Sequence, residues 1–274
     1  MAQHTLDQLK RFGVTPDTSY GQHFLVDDNM LRVIERMAAL TSGDVVYEPG
    51  PGVGVLTSWL APHVRHIHAV ELDARLKPAL DVLESEIPNL VVHWGDALSI
   101  DPQQLDPSPT ALVSNLPYNI AAPIVAETLQ RCPEITNFCV MVQKEVGDRM
   151  FANVGAKNYG ALSVVVQALA QRTSAHAVSR RVFAPPPNVD SMLVAFERRA
   201  DPCGLKETEW PGFSSFVRGA FMHRRKTLAN NLQMAGMERS VAAGALELIG
   251  VKQSTRPQEL SAEQFAQLFR ALKG

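Results

Sequence analysis

Long apolar runs are missing from this sequence, which never approaches the roughly 18 consecutive apolar residues that a membrane-spanning helix needs. The opening, MAQHTLDQLKRFG, is polar and has neither an apolar core nor a cleavage site, so it does not read as a secretory signal. Cysteine is scarce. Cys132, Cys139 and Cys203 are odd in number and lack metal-ligand spacing, which excludes a disulfide framework and a zinc site. Reduced thiols in a cytoplasmic, metal-free protein are the expectation. Repeats and low-complexity tracts are absent as well. A strong charge of one sign is also lacking: the net is −2 over 274 residues, which argues against a generic nucleic-acid binder.

That balance hides an asymmetry. Residues 1–197 carry 14 Lys and Arg against 21 Asp and Glu, whereas residues 198–274 carry 12 against 7. A basic end on an acidic body is the electrostatic footprint of a protein that docks on a polyanion, although short domains also acquire such faces as ordinary solvated surface. The length suits one large domain with a sizeable core plus a small appendage.

The pattern along the chain begins with a helix over Asn29–Leu40, where Met30, Val33, Ile34, Met37 and Ala38 fall at helical spacing. The segments 44–48, 67–71, 90–94, 111–115 and 138–142 are short apolar runs that read as strands. Helical stretches from about Leu56, over Arg75–Glu86 and from about Ile124 separate them. Strands alternating with helices predict an α/β fold with a mostly parallel sheet. His176–Ser179 and Val189–Glu197, flanking Pro185-Pro-Pro187, read as an antiparallel pair closing that sheet. From about residue 199 the character turns helical. Phe213, Phe216, Val217, Ala220 and Phe221 form a core-facing stripe that a continuous helix would extend to Arg224, so a bend or end is expected near His223. The expected domains are 1–199 and a small, basic, all-helical 200–274.

Between the first strand and its helix stands Glu48-x-Gly50-x-Gly52-x-Gly54, a turn in which a nucleotide cofactor can approach backbone amides. The spacing is not the dinucleotide Gly-x-Gly-x-x-Gly, and a purely structural tight turn would also use such glycines. Glu71, 17 residues after Gly54, ends the next strand, where a carboxylate can accept ribose hydroxyl protons. Asp96 follows the third strand and suits an adenine amino group, or merely caps the next helix. The fourth strand runs into Asn115-Leu-Pro-Tyr118. Here an amide oxygen and a proline-bracketed carbonyl can both accept hydrogen bonds from one planar amine, and the tyrosine ring can stack on a base. A plain Asn-Pro turn with a core tyrosine is the competing reading.

Together these motifs resemble those of the KsgA family, the bacterial 16S rRNA adenine dimethyltransferases, whose relatives include the Erm and mitochondrial enzymes. The resemblance covers essentially the whole chain. It runs through Gly21-Gln-His-Phe-Leu25, the Glu48–Gly54 turn, Glu71, Gly95-Asp96, Asn115-Leu-Pro-Tyr-Asn-Ile120, Gln143-Lys-Glu145 and Phe183-x-Pro-x-Pro-x-Val-x-Ser191. Arg225-Lys-Thr-Leu228 and Arg256-Pro-x-Glu-Leu260 are more KsgA-like than Erm-like.

The resemblance implies a Rossmann-like S-adenosylmethionine-dependent methyltransferase that dimethylates two adjacent adenosines near the 3′ end of 16S rRNA, within the 30S subunit or its precursor. It implies that His23 and Leu25 contact the methionine end of the cofactor, Gly50 its backbone-facing side, Glu71 the ribose and Asp96 the adenine. Asn115, Pro117 and Tyr118 would hold the target amine, with Asn115 also in contact with the methionine end of the cofactor, and Phe183 would stack on the flipped adenine. Arg218, Arg225 and Lys226, off the apolar stripe, are the expected RNA contacts of a cytoplasmic monomer. His23 replaces the family's usual Asn, and Pro49 its usual branched aliphatic. Imidazole can donate a hydrogen bond as an amide does, whereas Pro49 removes a backbone donor. An Erm-like enzyme acting on 23S rRNA and a non-catalytic RNA-binding assembly factor on the same fold are the alternatives.

Overall fold

In a computed structural model, which describes residues 2–17 and 20–273, the chain starts with helix α1 (Ala2–Arg11) and a short strand β1 (Phe24–Leu25). Helix α2 (Asp28–Ala38) follows. The Asp27 carboxylate caps it by accepting the Asn29 and Met30 N–H groups, and Met30, Leu31, Ile34 and Ala38 form its buried stripe. Strands β2 (Val45–Pro49), β3 (His66–Glu71), β4 (Leu90–Trp94), β5 (Ala111–Asn115) and β6 (Asn137–Gln143) lie within a residue or so of their predicted limits. Helices α3 (Val55–Leu60), α4 (Lys77–Glu86) and α5 (Ala121–Arg131) cross from β2 to β3, β3 to β4 and β5 to β6. Parallel pairing requires such crossovers. Accordingly β3 pairs in parallel with β2 and β4, and β5 with β2 and β6.

The chain therefore builds outward from β2 through β3 to β4, then returns to lay β5 on the other side of β2. At that reversal the crossovers leave a crevice beyond the carboxyl ends of the strands, which is where open α/β sheets bind ligands. All five residues of β2 are buried, as expected of a central strand covered on both faces.

After α6 (Lys144–Met150) and α7 (Ala161–Leu169) come β7 (Ala170–Val178), β8 (Phe183–Ala184) and β9 (Ser191–Arg198). The sheet order is β4-β3-β2-β5-β6-β9-β7, with β9 antiparallel to β6. The two closing strands are neighbours at the end of the sheet, as expected, and differ only in extent. β9 sits between β6 and β7, and β7 begins at Ala170, six residues earlier than its pattern implied. Residues 171–177 of this edge strand are exposed, so no alternation marks them. β8 pairs with β1 in the register Phe24 with Ala184 and Leu25 with Phe183.

Two compact units divide the chain. The first comprises residues up to 128, 134–147 and 172–197; the second comprises 129–133, 148–171 and 198–274. The helical unit thus takes in internal segments that the sequence reading placed within 1–199. Its additional helices are α8 (Trp210–Ala220), α9 (Leu228–Met234), α10 (Arg239–Leu248) and α11 (Ala262–Ala271). Phe213, on α8, meets Phe269 edge-on with ring centroids 5.6 Å apart, and Phe221 stacks on Phe265 at 5.5 Å. α8 stops at Ala220, three residues before the expected break. The buried Asn231 amide then holds the following loop, accepting the His223 N–H at 2.8 Å and donating to the His223 and Thr227 carbonyls. Arg224 leaves the apolar stripe and donates to the Lys157 and Tyr159 carbonyls at 2.7 and 3.0 Å.

Candidate active site

A cavity opens at the carboxyl edge of the sheet, and its walls come from separate places in the sequence: Thr5, residues 20–25, the glycine turn, Glu71 to Leu72, Gly95 to Ala97, and 115–120. The glycine turn is glycine for two reasons. Gly50 and Gly52 have φ of 73° and 62°, in the left-handed region that side chains disfavour. A Cβ on Gly50 would also sit 2.8 Å from Pro117 Cγ, and one on Gly52 2.7 Å from the Phe24 ring. Glycine at these two positions lets the Asn115–Tyr118 loop and β1 close directly against the turn.

Glu71 is 7 % exposed, and burial pushes its carboxyl upward against the pull of three backbone N–H groups. Oε1 accepts from Leu72 and Asp73, each at 2.9 Å, and Oε2 accepts from Gly52 at 3.2 Å. A carboxylate oxygen has about two acceptor positions, so Oε2 keeps capacity for a further donor such as a hydroxyl. Glu48 also faces the cavity. It is 1 % exposed, accepts the Thr57 hydroxyl at 2.7 Å and is pushed up to about 8, chiefly by burial. Asp96 lines the cavity while its Oδ1 accepts the Leu98 N–H at 2.9 Å, so it both caps a turn and faces the site.

Asn115 occupies the mouth of β5. Its Nδ2 donates to the His23 carbonyl at 3.0 Å, and because a carbonyl can only accept, this bond fixes which way the amide points. Oδ1 is then left buried with no hydrogen-bond partner among the described residues. A buried acceptor without a donor costs about 1–3 kcal/mol, so the fold holds an amide oxygen ready for a donor that arrives with a ligand. Two residues on, the Pro117 carbonyl accepts the Ile120 N–H at 3.1 Å, which turns the loop and leaves the Leu116 carbonyl as the proline-bracketed acceptor. The Tyr118 hydroxyl is hydrogen-bonded to Ser191 Oγ at 2.5 Å, and its ring lies 5.1 Å from that of His23.

His23 donates through Nδ1–H to the Pro185 carbonyl at 2.8 Å. That bond places the neutral ring's lone pair on Nε2. Leu25 is buried at the cavity wall. Phe183 is the residue expected to stack on the target adenine. It is 2 % exposed, packs in the hydrophobic core beside Leu25, and does not line the cavity.

The sequence reading missed the side chains that hold the 20–25 loop over the site. Gln22 Nε2 donates to Asp73 at 2.7 Å while its Oε1 accepts the Asp17 N–H at 2.9 Å. Asp73 is drawn below the usual carboxylate range, first by hydrogen bonds from Arg75, whose guanidinium lies over the Tyr20 ring. Acid two residues after Glu71 was the available signal.

Compared with known proteins, a family model described as ribosomal RNA adenine dimethylase matches residues 14–273. The chain belongs to this family. It is 43 % identical over 257 residues to the ribosomal RNA small subunit methyltransferase A of Rubrobacter xylanophilus, covering 94 % of this chain and 95 % of the relative. The protein of the same description from Thermobifida fusca is 41 % identical, with 94 % and 91 % covered. Among solved structures, a dimethyladenosine transferase from Plasmodium falciparum superposes with a TM-score of 0.73 at 25 % identity, covering 90 % of this chain and 96 % of that one. The 23S rRNA methyltransferase ErmE gives 0.67 at 30 %, covering 92 % and 100 %. The adenine dimethylase family thus has the Rossmann-like sheet and helical segments found here. Among the described residues no helix is long and apolar enough to cross a membrane, and no cluster of His, Cys, Asp or Glu is arranged to hold a metal ion.

Proposed function

We propose that this chain dimethylates the N6 amino groups of two adjacent adenosines near the 3′ end of small-subunit ribosomal RNA, with S-adenosylmethionine as donor. The observation that carries this reading is the Asn115 amide, tethered through Nδ2 and buried with an unpartnered Oδ1. Three features of the cavity fit the cofactor: the glycine cradle, the Oε2 capacity of Glu71 for a ribose hydroxyl, and Asp96 at the far wall for the adenine. His23 and Leu25, also on the cavity wall, would hold its methionine end. When bound, the sulfonium supplies an electrophilic methyl group.

The chain's residues do the rest by position. Asn115 Oδ1 and the Leu116 carbonyl accept the two N–H bonds of the adenine amine, which pulls the nitrogen toward tetrahedral geometry and aims its lone pair. Tyr118 supplies an aromatic face for the base, which must leave its stack to reach the site. A neutral amide is a poor base, and none stronger is needed. The nitrogen becomes cationic on methylation and sheds its proton afterwards. On the helical unit, the exposed Arg218, Arg225 and Lys226 supply phosphate contacts. The protein works in the cytoplasm as a monomer. Small-subunit RNA is favoured over large-subunit RNA because the small-subunit relatives reach 43 % and 41 % identity against 30 % for ErmE. Incubation with tritiated cofactor and undermethylated 30S or 50S particles tests this: label is expected in the 30S RNA, and label confined to 50S RNA would overturn it.

A further inference from the structure

Ser191 opens strand β9 and is fully buried, yet it does not line the cavity. Its backbone is paired with Gln143, the last residue of β6, so the sheet sets its place rather than the loops around the site. Tyr118 stands on the cavity wall, two residues beyond Leu116, whose N–H still donates to the Met141 carbonyl of β6 at 3.1 Å. From there its side chain spans the end of β6 to reach the start of β9, where the two hydroxyls meet at 2.5 Å. Burial pushes the Tyr118 hydroxyl above the usual phenol range, so it stays protonated and is no candidate base. The ring's neighbour is His23, 5.1 Å away and tilted by 30°, itself tied to the Pro185 carbonyl. The chain from Pro185 to Ser191 thus has a hold on each of the two rings: a carbonyl for His23 and a hydroxyl for Tyr118.

A tyrosine side chain fixed only at its backbone keeps two torsions, χ1 and χ2. The hydroxyl lies at the far end of the ring, so a hydrogen bond there stops the ring swinging about χ1, while a second ring packed beside it limits rotation about χ2. A stacking face assists a reaction when it is fixed before the base arrives. Resting on the reading that Tyr118 offers its face to the target adenine, we propose that Ser191 is a positioning residue whose hydroxyl holds the Tyr118 ring where the adenine stacks. Ser191 touches neither cofactor nor base, and it reaches the reaction only through Tyr118. The motif that runs from Phe183 to Ser191 therefore serves the core at its phenylalanine end and the site at its serine end.

A double-mutant cycle on the full chain tests this, read by single-turnover methylation of undermethylated 30S particles at saturating particle and cofactor. Tyr118→Phe keeps the ring and Ser191→Ala keeps the strand, and each removes one side of the same bond. Each is expected to lower the saturating rate about fivefold, the weight of one ordinary hydrogen bond, while S-adenosylmethionine affinity stays within about twofold of wild type. The double variant should be no slower than the slower single, because the bond can be lost only once. Ser191→Cys, close in size but with only a weak S–H donor, takes the place of alanine in the cycle if that variant does not fold. A lowered melting temperature with a wild-type rate in the Ser191 variant, a wild-type rate in Tyr118→Phe, or losses that multiply in the double variant overturns the proposal. The wild-type arm separates the two readings. If wild type methylates no particle, the functional assignment falls and the role of Ser191 with it, whereas normal wild-type transfer with unaffected variants removes Ser191 alone.

Discussion

Replacing Asn115 with Ala removes two interactions of different kinds, and the structure separates their sizes. The Oδ1 acceptor has no partner among the described residues, so its loss should be felt in the reaction. One preorganised polar contact of this kind accounts for about 10²–10³ in rate, or roughly 2.7–4 kcal/mol. The Nδ2 tether to the His23 carbonyl is an ordinary hydrogen bond, and losing it costs about 1 kcal/mol, felt as a looser 20–25 loop and less than tenfold in cofactor affinity. Asn115→Asp discriminates further. Asp keeps acceptors but cannot donate to the His23 carbonyl, and it sets a negative charge against that oxygen, so it should react nearly as slowly as Ala. Paired calorimetry of S-adenosylmethionine binding and single-turnover methylation on each variant provides the assay. A variant that binds cofactor a hundredfold more weakly yet reacts at the normal rate when saturated would refute the reasoning.

Glu71→Ala should weaken S-adenosylmethionine binding by about 2–3 kcal/mol, on the order of a hundredfold, because it removes the proposed ribose acceptor and releases the Gly52, Leu72 and Asp73 amides it anchors; unchanged affinity in a folded variant would remove Glu71 from the site. Glu48, pushed up to about 8, is protonated in the folded protein at neutral pH, whereas the unfolded chain ionises near 4.5. The folded state therefore binds the extra proton, and this residue's contribution to stability falls as pH rises from about 4.5 to 8. A cationic ligand beside it favours the ionised form, so cofactor binding near neutral pH should release a proton, visible as buffer-dependent calorimetric heats that Glu48→Gln abolishes; equal heats in all buffers would contradict this. Phe183→Ala should lower stability by about 3–5 kcal/mol while leaving the saturating methylation rate of the folded variant within a few-fold, as befits a core ring. A normal melting temperature with a large loss of rate would instead reinstate base stacking.

Legibility in the sequence followed the physics of each signal. The parallel strands were readable because central strands covered on both faces become unbroken apolar runs, as in Val45–Tyr47 and Phe138–Val142. The glycine turn, Glu71 and Asn115 were readable because each couples a residue type to a strand end. Helix α7 was not. Its sequence, ALSVVVQAL, is apolar on nearly every side and buried, so it shows no stripe for periodicity to detect. The inward turn of Phe183 was hidden too, because it depends on a two-residue pairing of β8 with β1, distant in sequence and too short to leave a pattern. The same applies to Gln22, which works only through Asp73, 51 residues away.

Whether this chain dimethylates neighbouring adenosines in small-subunit RNA is tested most directly by mass-spectrometric mapping of RNase fragments after reaction of undermethylated 30S particles with S-adenosylmethionine. A single 3′-terminal fragment carrying two adjacent N6,N6-dimethyladenosines is expected, absent when Asn115→Ala replaces the wild type over the same time. Methylation at a nitrogen other than N6, at non-adjacent bases, or only in large-subunit RNA would contradict it.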